Sequence, residues 1–250
     1  MCWSYFLFHG ELNDFFSKDK PQGYLPYKVN RRAAIKDVIE SLGPPHTEID
    51  CILVNGQAQG FDYHLQPEDQ VQVFPFNAPV NTERATLLHP RIFPLGKFIV
   101  DVNVGKLANL LRLLGLNAAY NPDWEDKYIA QKSLAEKRTV LTKDLGLLKR
   151  NDVIWGRYVR ANLPAEQIKE IVYFFGLQER LEPFSRCLRC NIRLAPVSKQ
   201  EILHRLEPKT KKYFNDFSIC PKCQRIYWAG SHHEHMQNWL ELIKSFTQEN

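Results

Sequence analysis

The chain is 250 residues long, 44% of them hydrophobic and 24% charged, a composition that is typical of folded globular proteins and excludes disorder over the whole length. At this length we expect two or three units, each with a core of its own. The net charge of +5 is uneven, at −4 over residues 1–90, +4 over 91–183 and +5 over 184–250, and so favours polyanionic partners, nucleic acid first.

Two features of the sequence bear on the cellular compartment. No apolar run reaches the roughly 20 residues of a membrane-spanning helix, and the N-terminus lacks a basic region and a cleavage site for secretion. Six cysteines are too few for a disulfide scaffold, and four of them form two Cys-x-x-Cys pairs. We therefore expect a cytoplasmic protein without membrane association, in which the paired cysteines hold a metal.

Residues 1–80 are predicted to form a small domain of two strands, a helix and further strands. The first strands are expected at 5–8 and 24–29, and Pro26 indicates that the second lies at a sheet edge. The helix is predicted to have Asn30 as its N-cap and to end at Gly43. A further strand is expected at 51–54, where it runs into an Asn-Gly turn at 55–56, and the last strand is expected at 71–74.

This order of elements resembles the ubiquitin-like, sulfur-carrier type of β-grasp domain, through the Ile-Leu-Val-Asn-Gly turn at 52–56 and the closing segment 69–75. Carriers of that type act through a flexible C-terminal Gly-Gly, which this segment lacks. We therefore expect an interaction or scaffolding role, or a packing domain with no activity of its own. Residues 77–94 have three prolines and no periodic pattern, and are predicted to be a linker.

Residues 95–183 are predicted to form an α/β domain with a parallel sheet. Strands at 98–100 and 139–142 each lead to an aspartate, Asp101 and Asp144, and helices are expected at 104–114 and 125–137. In a parallel sheet the carboxyl ends of the strands share one edge with the first turns of the helices that follow. Asp126 is therefore expected to meet the other two aspartates there.

Three carboxylates at one edge repel one another unless a cation lies among them. Mg²⁺ and Mn²⁺ prefer oxygen ligands, need few of them from protein, and supply the activation of water on which metal-dependent nucleases rely. The residues alone leave other interpretations open. Asp126 also suits the N-terminus of a helix, and an aspartate that follows a strand is often a turn residue.

The stretch 98–115 reads Phe-Ile-Val-Asp-Val-Asn-Val-Gly-Lys-Leu-Ala-Asn-Leu-Leu-Arg-Leu-Leu-Gly, and Leu-Thr-Lys-Asp follows at 141–144. Together they resemble the PIN-like ribonuclease domain named for the C-terminus of the Mut-seven exonucleases. The resemblance continues from 184 to 232 and so includes the cysteines. With the N-terminal part, nearly the whole chain resembles a bacterial arrangement of ubiquitin-like domain, PIN-like RNase domain and zinc ribbon.

The resemblance implies cleavage of single-stranded RNA at a metal-dependent site. Carried over by position, Asp101 and Asp144 are ligands of the catalytic Mg²⁺ or Mn²⁺, and Asp126 is the third, with Glu125 as its competitor. PIN-like sites often have a fourth acidic or polar residue after the next strand. In this chain only Asn162 is available there, so a second metal has less support.

Two sets of residues, basic ones with polar or aromatic neighbours, indicate where RNA would bind. Lys106, Asn109 and Arg112 follow one flank of the first helix of the α/β domain, where they either contact phosphates or are simply solvated. A second set of basic and aromatic residues accompanies the cysteine pairs: Arg205, Lys209, Lys211, Lys212, Tyr213, Phe214, Tyr227 and Trp228. Such a mixture suits phosphate attraction and base stacking, although packing on a small core explains the aromatic residues equally well.

The cysteine pairs predict a zinc ribbon over residues 184–250. Cys187 and Cys190 form the first pair, and Cys220 and Cys223 form the second, 29 residues further on. Two such pairs clamp a tetrahedral Zn²⁺, and four thiolates leave no open coordination position, so the site is structural. An iron–sulfur cluster uses the same ligands, whereas a thioredoxin-like redox pair would not explain the second pair.

Two further features surround this site. The nearby histidines are predicted to be surface residues or neighbours of the ligands rather than ligands themselves: His204, His232, His233 and His235. The chain is then expected to end in an amphipathic packing helix, whose apolar residues recur at helical spacing: Met236, Trp239, Leu240 and Ile243.

The sequence as a whole predicts a Mg²⁺- or Mn²⁺-dependent ribonuclease whose zinc ribbon helps to present single-stranded RNA. The alternative is a non-catalytic RNA- or protein-binding adaptor with the same fold. The two differ in whether Asp101, Asp126 and Asp144 come within reach of one ion. A protein partner is expected, if there is one, at the ubiquitin-like domain, and the oligomeric state is not predicted.

Overall fold

The computed structural model describes residues 2–17, 23–229 and 241. Within these residues the chain forms a five-stranded, a four-stranded and a three-stranded sheet, in that order along the chain. No helix among them is long and apolar enough to cross a membrane. The predicted C-terminal helix and the three histidines at 232, 233 and 235 lie outside the described residues.

The N-terminal domain is a mixed sheet with one helix packed on it. Its elements are β1 (Trp3–Phe8), β2 (Leu25–Lys28), α1 (Ile35–Leu42), β3 (Ile49–Val54), β4 (Gln57–Ala58) and β5 (Gln70–Pro75). The strand order is β2-β1-β5-β3-β4, with β1 and β5 parallel and the other pairs antiparallel. This is the β-grasp arrangement that the sequence predicts, and Pro26 does lie in an edge strand.

The predicted N-cap of α1 is wrong. The cap is Ala34, and the helix begins at Ile35, five residues after Asn30. The reason is that the backbone before the helix is extended, because Ala34 forms an isolated antiparallel bridge with His64 and the Ala33 carbonyl accepts from the Leu65 N–H. Sheet-like pairing of this segment therefore delays the start of the helix, which ends as predicted at Gly43.

The middle domain has a parallel sheet flanked by helices. Its elements are β6 (Lys97–Val100), α2 (Gly105–Leu113), β7 (Asn117–Ala119), α3 (Asp126–Glu136), β8 (Thr139–Thr142), α4 (Leu145–Leu148), β9 (Gly156–Tyr158) and α5 (Pro164–Phe174). The strand order is β7-β6-β8-β9, and every pairing is parallel. The strands are short and buried on both faces, as expected for a sheet covered by helices on each side.

Residues 77–94 contain no helix or strand, yet they are packed between the two sheets. Val80, Leu88 and Phe93 are buried, and the ring of His89 donates from Nε2 to the carbonyl of Ile49 at 2.6 Å. Burial lowers the pKa of His89, which favours the neutral ring in this position. The segment is therefore a connection packed into the cores, and not a free tether.

The N-terminal domain also covers the outer edge of the parallel sheet. Glu48 is buried and accepts from the backbone N–H of Tyr158 in β9 at 2.6 Å. Arg157 donates to both oxygens of Glu11, at 2.7 and 2.9 Å, and to Glu48 at 3.0 Å. Burial alone would raise the pKa of Glu11, but the bond with Arg157 and the charges of Arg157 and Arg160 outweigh it and lower that pKa.

The C-terminal domain is a small antiparallel sheet with helical turns inserted. Its elements are β10 (Ala195–Val197), α6 (Lys199–Ile202), α7 (Pro208–Tyr213), β11 (Phe217–Ile219) and β12 (Ile226–Trp228). It packs on the end of α2, where Gly115 has a φ of +83° and a Cβ would lie 2.2 Å from the Glu182 carbonyl oxygen. Only glycine fits this close approach, which lies where the α/β domain ends and the C-terminal domain begins, since the same Cβ would lie 2.7 Å from Ser185 Oγ.

Candidate functional site

The carboxyl-terminal edge of the parallel sheet carries the predicted acidic residues, and we call it the acidic edge. Asp101 follows β6, Asp144 follows β8, and Asp126 is the first residue of α3. Asp101 is buried, Asp144 is half-buried and Asp126 is exposed. The structure therefore brings all three aspartates to one edge, each in a different degree of contact with solvent.

Thr142 connects two of these aspartates. Its hydroxyl donates to Oδ2 of Asp101 at 2.6 Å and accepts from the backbone N–H of Asp144 at 2.8 Å. Asn103 donates to the same Asp101 oxygen at 2.6 Å and accepts from the backbone N–H of Lys143 at 3.0 Å. The Asp101 carboxylate is thus held in one orientation by two neutral side chains.

Asp144 also closes the start of α4. Its Oδ1 accepts from the N–H groups of Gly146 and Leu147, at 2.6 and 3.2 Å, as an N-cap does. Asp101 caps a single helical turn in the same way, by accepting from the Val102 N–H at 2.6 Å. Asp101 and Asp144 therefore do act as turn residues, an interpretation that the sequence left open. The same hydrogen bonds fix their carboxylates at the acidic edge.

The charges of the three aspartates interact. Partial burial, followed by the negative charges of Asp144 and Asp101, raises the pKa of the Asp126 carboxyl, and Arg150 opposes this rise. The oxygens of the three side chains do not all lie within 4.8 Å of one another, a criterion that only the four paired cysteines meet among the described residues. The aspartates thus come close enough to repel, but are more widely spaced than the thiols.

The neighbouring candidates take different positions. Glu125 is the N-cap residue of α3 and is exposed, directly before Asp126. Asn162 lies beyond β9, and its Oδ1 accepts from Lys143 Nζ at 2.7 Å. Asn162 is therefore tied, through Lys143, to the strand end that carries Asp144.

A cleft of about 480 Å³ opens beside Asp101, between the start of α2 and the start of α5. None of the three aspartates lines it, and its link to Asp101 is Asn103, which lines the cleft and donates to the Asp101 carboxylate. Asn103, Lys106, Asn109, Tyr120 and Asn162 contribute polar groups to its lining. A Cβ at position 105 would lie 2.5 Å from the Tyr120 hydroxyl, so glycine there allows Tyr120 to close against the helix. The Gly-Lys-Leu-Ala sequence thus shapes one wall of this cleft.

The three polar residues predicted on one flank of α2 lie in two different environments. Lys106 and Asn109 are exposed, but Arg112 is buried and donates from Nε to the Ala118 carbonyl at 2.9 Å and from Nη1 to the Leu188 carbonyl at 2.6 Å. The prediction that Arg112 contacts RNA is therefore wrong. This arginine fastens the first cysteine pair to the end of α2 that lies away from Asp101.

The four paired cysteines form a compact cluster that fits a structural zinc site, since their sulfur atoms all lie within 4.8 Å of one another. The Tyr227 hydroxyl and the Cys190 N–H donate to Cys187 Sγ at 3.2 and 3.3 Å. Burial disfavours the thiolate of Cys187, but these hydrogen bonds outweigh it and lower its pKa to about 6. Cys187 therefore favours the thiolate that a metal requires, whereas burial and the neighbouring thiols raise the pKa of Cys190 to about 12 when no ion is bound.

A groove of about 1000 Å³ lies next to this cluster, between the three-stranded sheet and the end of α2. Tyr213 and Trp228 are exposed there by 65% and 43%, whereas Phe214 packs against the core of the small domain. Packing on the small core therefore explains Phe214, whereas Tyr213 and Trp228 are left exposed at the groove. His204 is exposed and is not a member of the cysteine cluster.

Comparison with known families decides the assignment. Residues 96–240 match the family described as the Mut7-C RNAse domain, and residues 1–81 match the one described as Mut7-C ubiquitin. The chain belongs to the Mut7-C RNAse domain family. No curated protein and no solved structure matches it. The predicted fold class, a ubiquitin-like β-grasp domain, a parallel-sheet α/β domain and a zinc ribbon, is confirmed.

Three residues of this Mut7-C RNAse domain were not singled out by sequence reasoning. Asn103 and Thr142 orient Asp101, and Arg150 is the cation whose charge acts on Asp126. Thr142 is the last residue of a strand that leads into an aspartate, and this position could have identified it. Nothing in the spacing of Asn103 or Arg150 indicates their partners, because these contacts depend on how the loops close.

The zinc assignment predicts the outcome of removing one thiol. We expect the purified protein to carry about one zinc ion per chain and a Cys220→Ser variant to carry almost none, because three thiolates hold the ion far less well than four. Elemental analysis by mass spectrometry measures both. Cys51→Ser is the matched control, since Cys51 lies outside the cluster. Iron in place of zinc, or full zinc content in Cys220→Ser, would contradict the assignment.

Proposed function

We propose that this protein is a divalent-metal-dependent ribonuclease that hydrolyses phosphodiester bonds of single-stranded RNA in the cytoplasm. The observation that supports this most is the joint position of Asp101, Asp126 and Asp144 at one edge of a Mut7-C RNAse domain, where partial burial and then the other two charges raise the pKa of Asp126. Carboxylates placed in this way repel one another, and a cation bound among them would offset that repulsion.

The donor set suits Mg²⁺ or Mn²⁺. All three residues offer carboxylate oxygens, and these hard cations keep several water ligands and take only one or two carboxylates directly. At least one pair of the three carboxylates lies more than 4.8 Å apart, so the side chains as placed do not all bind one ion directly, and one of them would act through water. When bound, such an ion supplies activation of water and neutralisation of charge at the phosphate.

The residues of the chain have separate tasks in this proposal. Asn103 and Thr142 hold the Asp101 carboxylate in one orientation, so no reorganisation is needed when substrate arrives. Lys106 and Asn109, exposed on the first turns of α2, face the cleft beside Asp101 and attract the phosphate backbone. Tyr120 closes one wall of the cleft and limits access of bulk water.

The zinc ribbon lies at the other end of α2, about 13 Å away for a helix of nine residues. A single RNA strand would follow the exposed face of this helix between the groove at the ribbon and the cleft at Asp101. Tyr213 and Trp228 are exposed at the groove and suit base stacking. The ribbon would therefore present RNA from a distance, and not directly beside the aspartates.

An adaptor without catalysis remains the second candidate. Asp101 and Asp144 both act as caps of helical turns, which is sufficient to explain an aspartate at each position. An adaptor would keep the fold, the zinc site and the exposed aromatic residues. It would bind RNA or protein and cleave neither.

The cleavage reaction is tested with labelled single-stranded RNA and Mn²⁺. We expect purified protein to cleave it, EDTA to abolish cleavage, and Asp144→Asn to lower the rate by about 10²-fold or more, because the substitution removes one charge from the site. Asp37→Asn, a change of the same kind on the exposed face of α1, is expected to leave the rate unchanged. Equal rates for the wild type and Asp144→Asn would assign the activity to a contaminant, and no cleavage of varied RNAs would favour the adaptor.

The path along α2 predicts a change in RNA affinity for Lys106→Gln. Measured in the Asp144→Asn background, which limits cleavage, the affinity for fluorescent single-stranded RNA should fall, and the slope of log K against log salt should decrease by about 0.7 for one lost phosphate contact. Lys97→Gln is the control, because Lys97 is exposed at the opposite edge of the same sheet. An unchanged slope in Lys106→Gln, or an equal change in Lys97→Gln, would exclude this path.

A further inference from the structure

The loop after β9, residues 159–162, is bound on its inner side to the acidic edge. The Val159 N–H donates to the Thr142 carbonyl at 2.9 Å. Lys143 Nζ donates to the Arg160 carbonyl at 3.1 Å and to Asn162 Oδ1 at 2.7 Å. Since Asn162 lines the cleft beside Asp101, the position of this loop determines one wall of the proposed RNA site.

The same loop is bound on its outer side to the ubiquitin-like domain. The Arg160 guanidinium donates to Glu48 Oε2 at 2.9 Å, to Asp14 Oδ2 at 3.0 Å and to the Glu11 carbonyl at 3.2 Å. Glu48 is 2% exposed, so this pair is withdrawn from water and interacts more strongly than a surface pair. Arg160 therefore joins the two domains at the loop that carries Asn162.

Attachment of the domains does not by itself require Arg160. Arg157, three residues earlier, already forms the bidentate pair with Glu11 and reaches Glu48. Arg157 lies within β9 and reaches the loop through Glu170, 3.6 Å from its Nη2, whereas Arg160 belongs to the loop itself and its backbone is held from both sides. Glu170 of α5 accepts from the N–H groups of Arg160 and Ala161, at 3.0 Å each, and completes the enclosure of this turn.

We propose that the ubiquitin-like domain is a built-in positioning element of the nuclease site, and that Arg160 transmits its effect by fixing the loop 159–162 against Lys143 and the cleft. The proposal rests on the proposed ribonuclease function for its kinetic consequence. Arg160 is a positioning residue, since its side chain faces away from the substrate cleft. Among the described residues it contacts the ubiquitin-like domain, including Phe15, and Tyr158 of β9. The N-terminal domain is then part of the enzyme.

The test removes the interaction from each side in the full chain. Arg160→Gln breaks it from the loop, and Glu11→Gln with Asp14→Asn breaks it from the ubiquitin-like domain and leaves Glu48 in place. Because Glu11→Gln also removes the bidentate pair with Arg157, Glu11→Gln alone is measured beside it, so that the Asp14–Arg160 contribution is separated. Arg138→Gln is the matched control, because Arg138 is also a partly buried, ion-paired arginine but lies before β8, at the opposite edge of the sheet. Steady-state cleavage of RNA and hydrogen exchange of the amides of 159–162 are measured for each.

We expect Arg160→Gln and the Glu11→Gln, Asp14→Asn variant each to lower kcat/KM by about tenfold, chiefly through KM, since misplacement of a binding group weakens substrate positioning. The amides of 159–162 should exchange faster in both, and the effects on KM and exchange in the combined variant should fall short of the sum of the two separate effects, as expected for groups that act together. Arg138→Gln should lower thermal stability without changing KM.

Unchanged KM and unchanged exchange in the Glu11→Gln, Asp14→Asn variant would overturn the proposal, and this variant decides the matter if Arg160→Gln does not fold. Effects that add fully in the combined variant would also overturn it. If the wild type cleaves no RNA while the loop amides exchange faster in both variants, the ribonuclease proposal fails and the positioning role stands.

Discussion

The repulsion among three aspartates at one edge of the parallel sheet is the interaction on which the account of this protein depends. A parallel sheet gathers the ends of its strands, and here two strand ends and one helix start each contribute a carboxylate. Hydrogen bonds from Thr142 and Asn103 and backbone N–H groups fix Asp101 and Asp144, so these two cannot turn away from each other freely. The cost falls on Asp126, whose pKa is raised. A bound cation would remove that cost.

The other domains are arranged around this edge by two elements of the α/β domain. Helix α2 begins at the cleft beside Asp101 and ends at the zinc ribbon, where buried Arg112 binds the backbone of the first cysteine pair. Strand β9 is covered by the ubiquitin-like domain through Glu48, whose carboxylate pairs with both Arg157 and Arg160. A free sheet edge exposes unpaired N–H groups, and Glu48 satisfies one of them at Tyr158. The domains thus share hydrogen bonds and ion pairs rather than simply following one another.

The sequence predicts β1, β2, β3, β5, β6 and β8, the cysteine cluster and the edge shared by the aspartates, because each depends on local spacing and on the geometry of parallel sheets. It does not predict the short strands β4, β7 and β10 to β12, which have only two or three residues each. It fails where the outcome depends on distant contacts. Asn30 has the chemistry of an N-cap, but pairing of Ala34 with His64 keeps the backbone extended. Arg112 has the helical spacing of a solvated residue, but the zinc ribbon covers it. The same limit hides Arg160, whose partners are more than a hundred residues away.

The most direct test of the central claim is a crystal of the protein soaked in Mn²⁺, with diffraction data collected near the manganese absorption edge. The account predicts an anomalous difference peak at the acidic edge, bound directly by Asp101 or Asp144, and its loss in Asp144→Asn. Absence of any manganese peak at this edge at millimolar Mn²⁺, with the zinc site intact in the same crystals, would contradict the account and favour the adaptor.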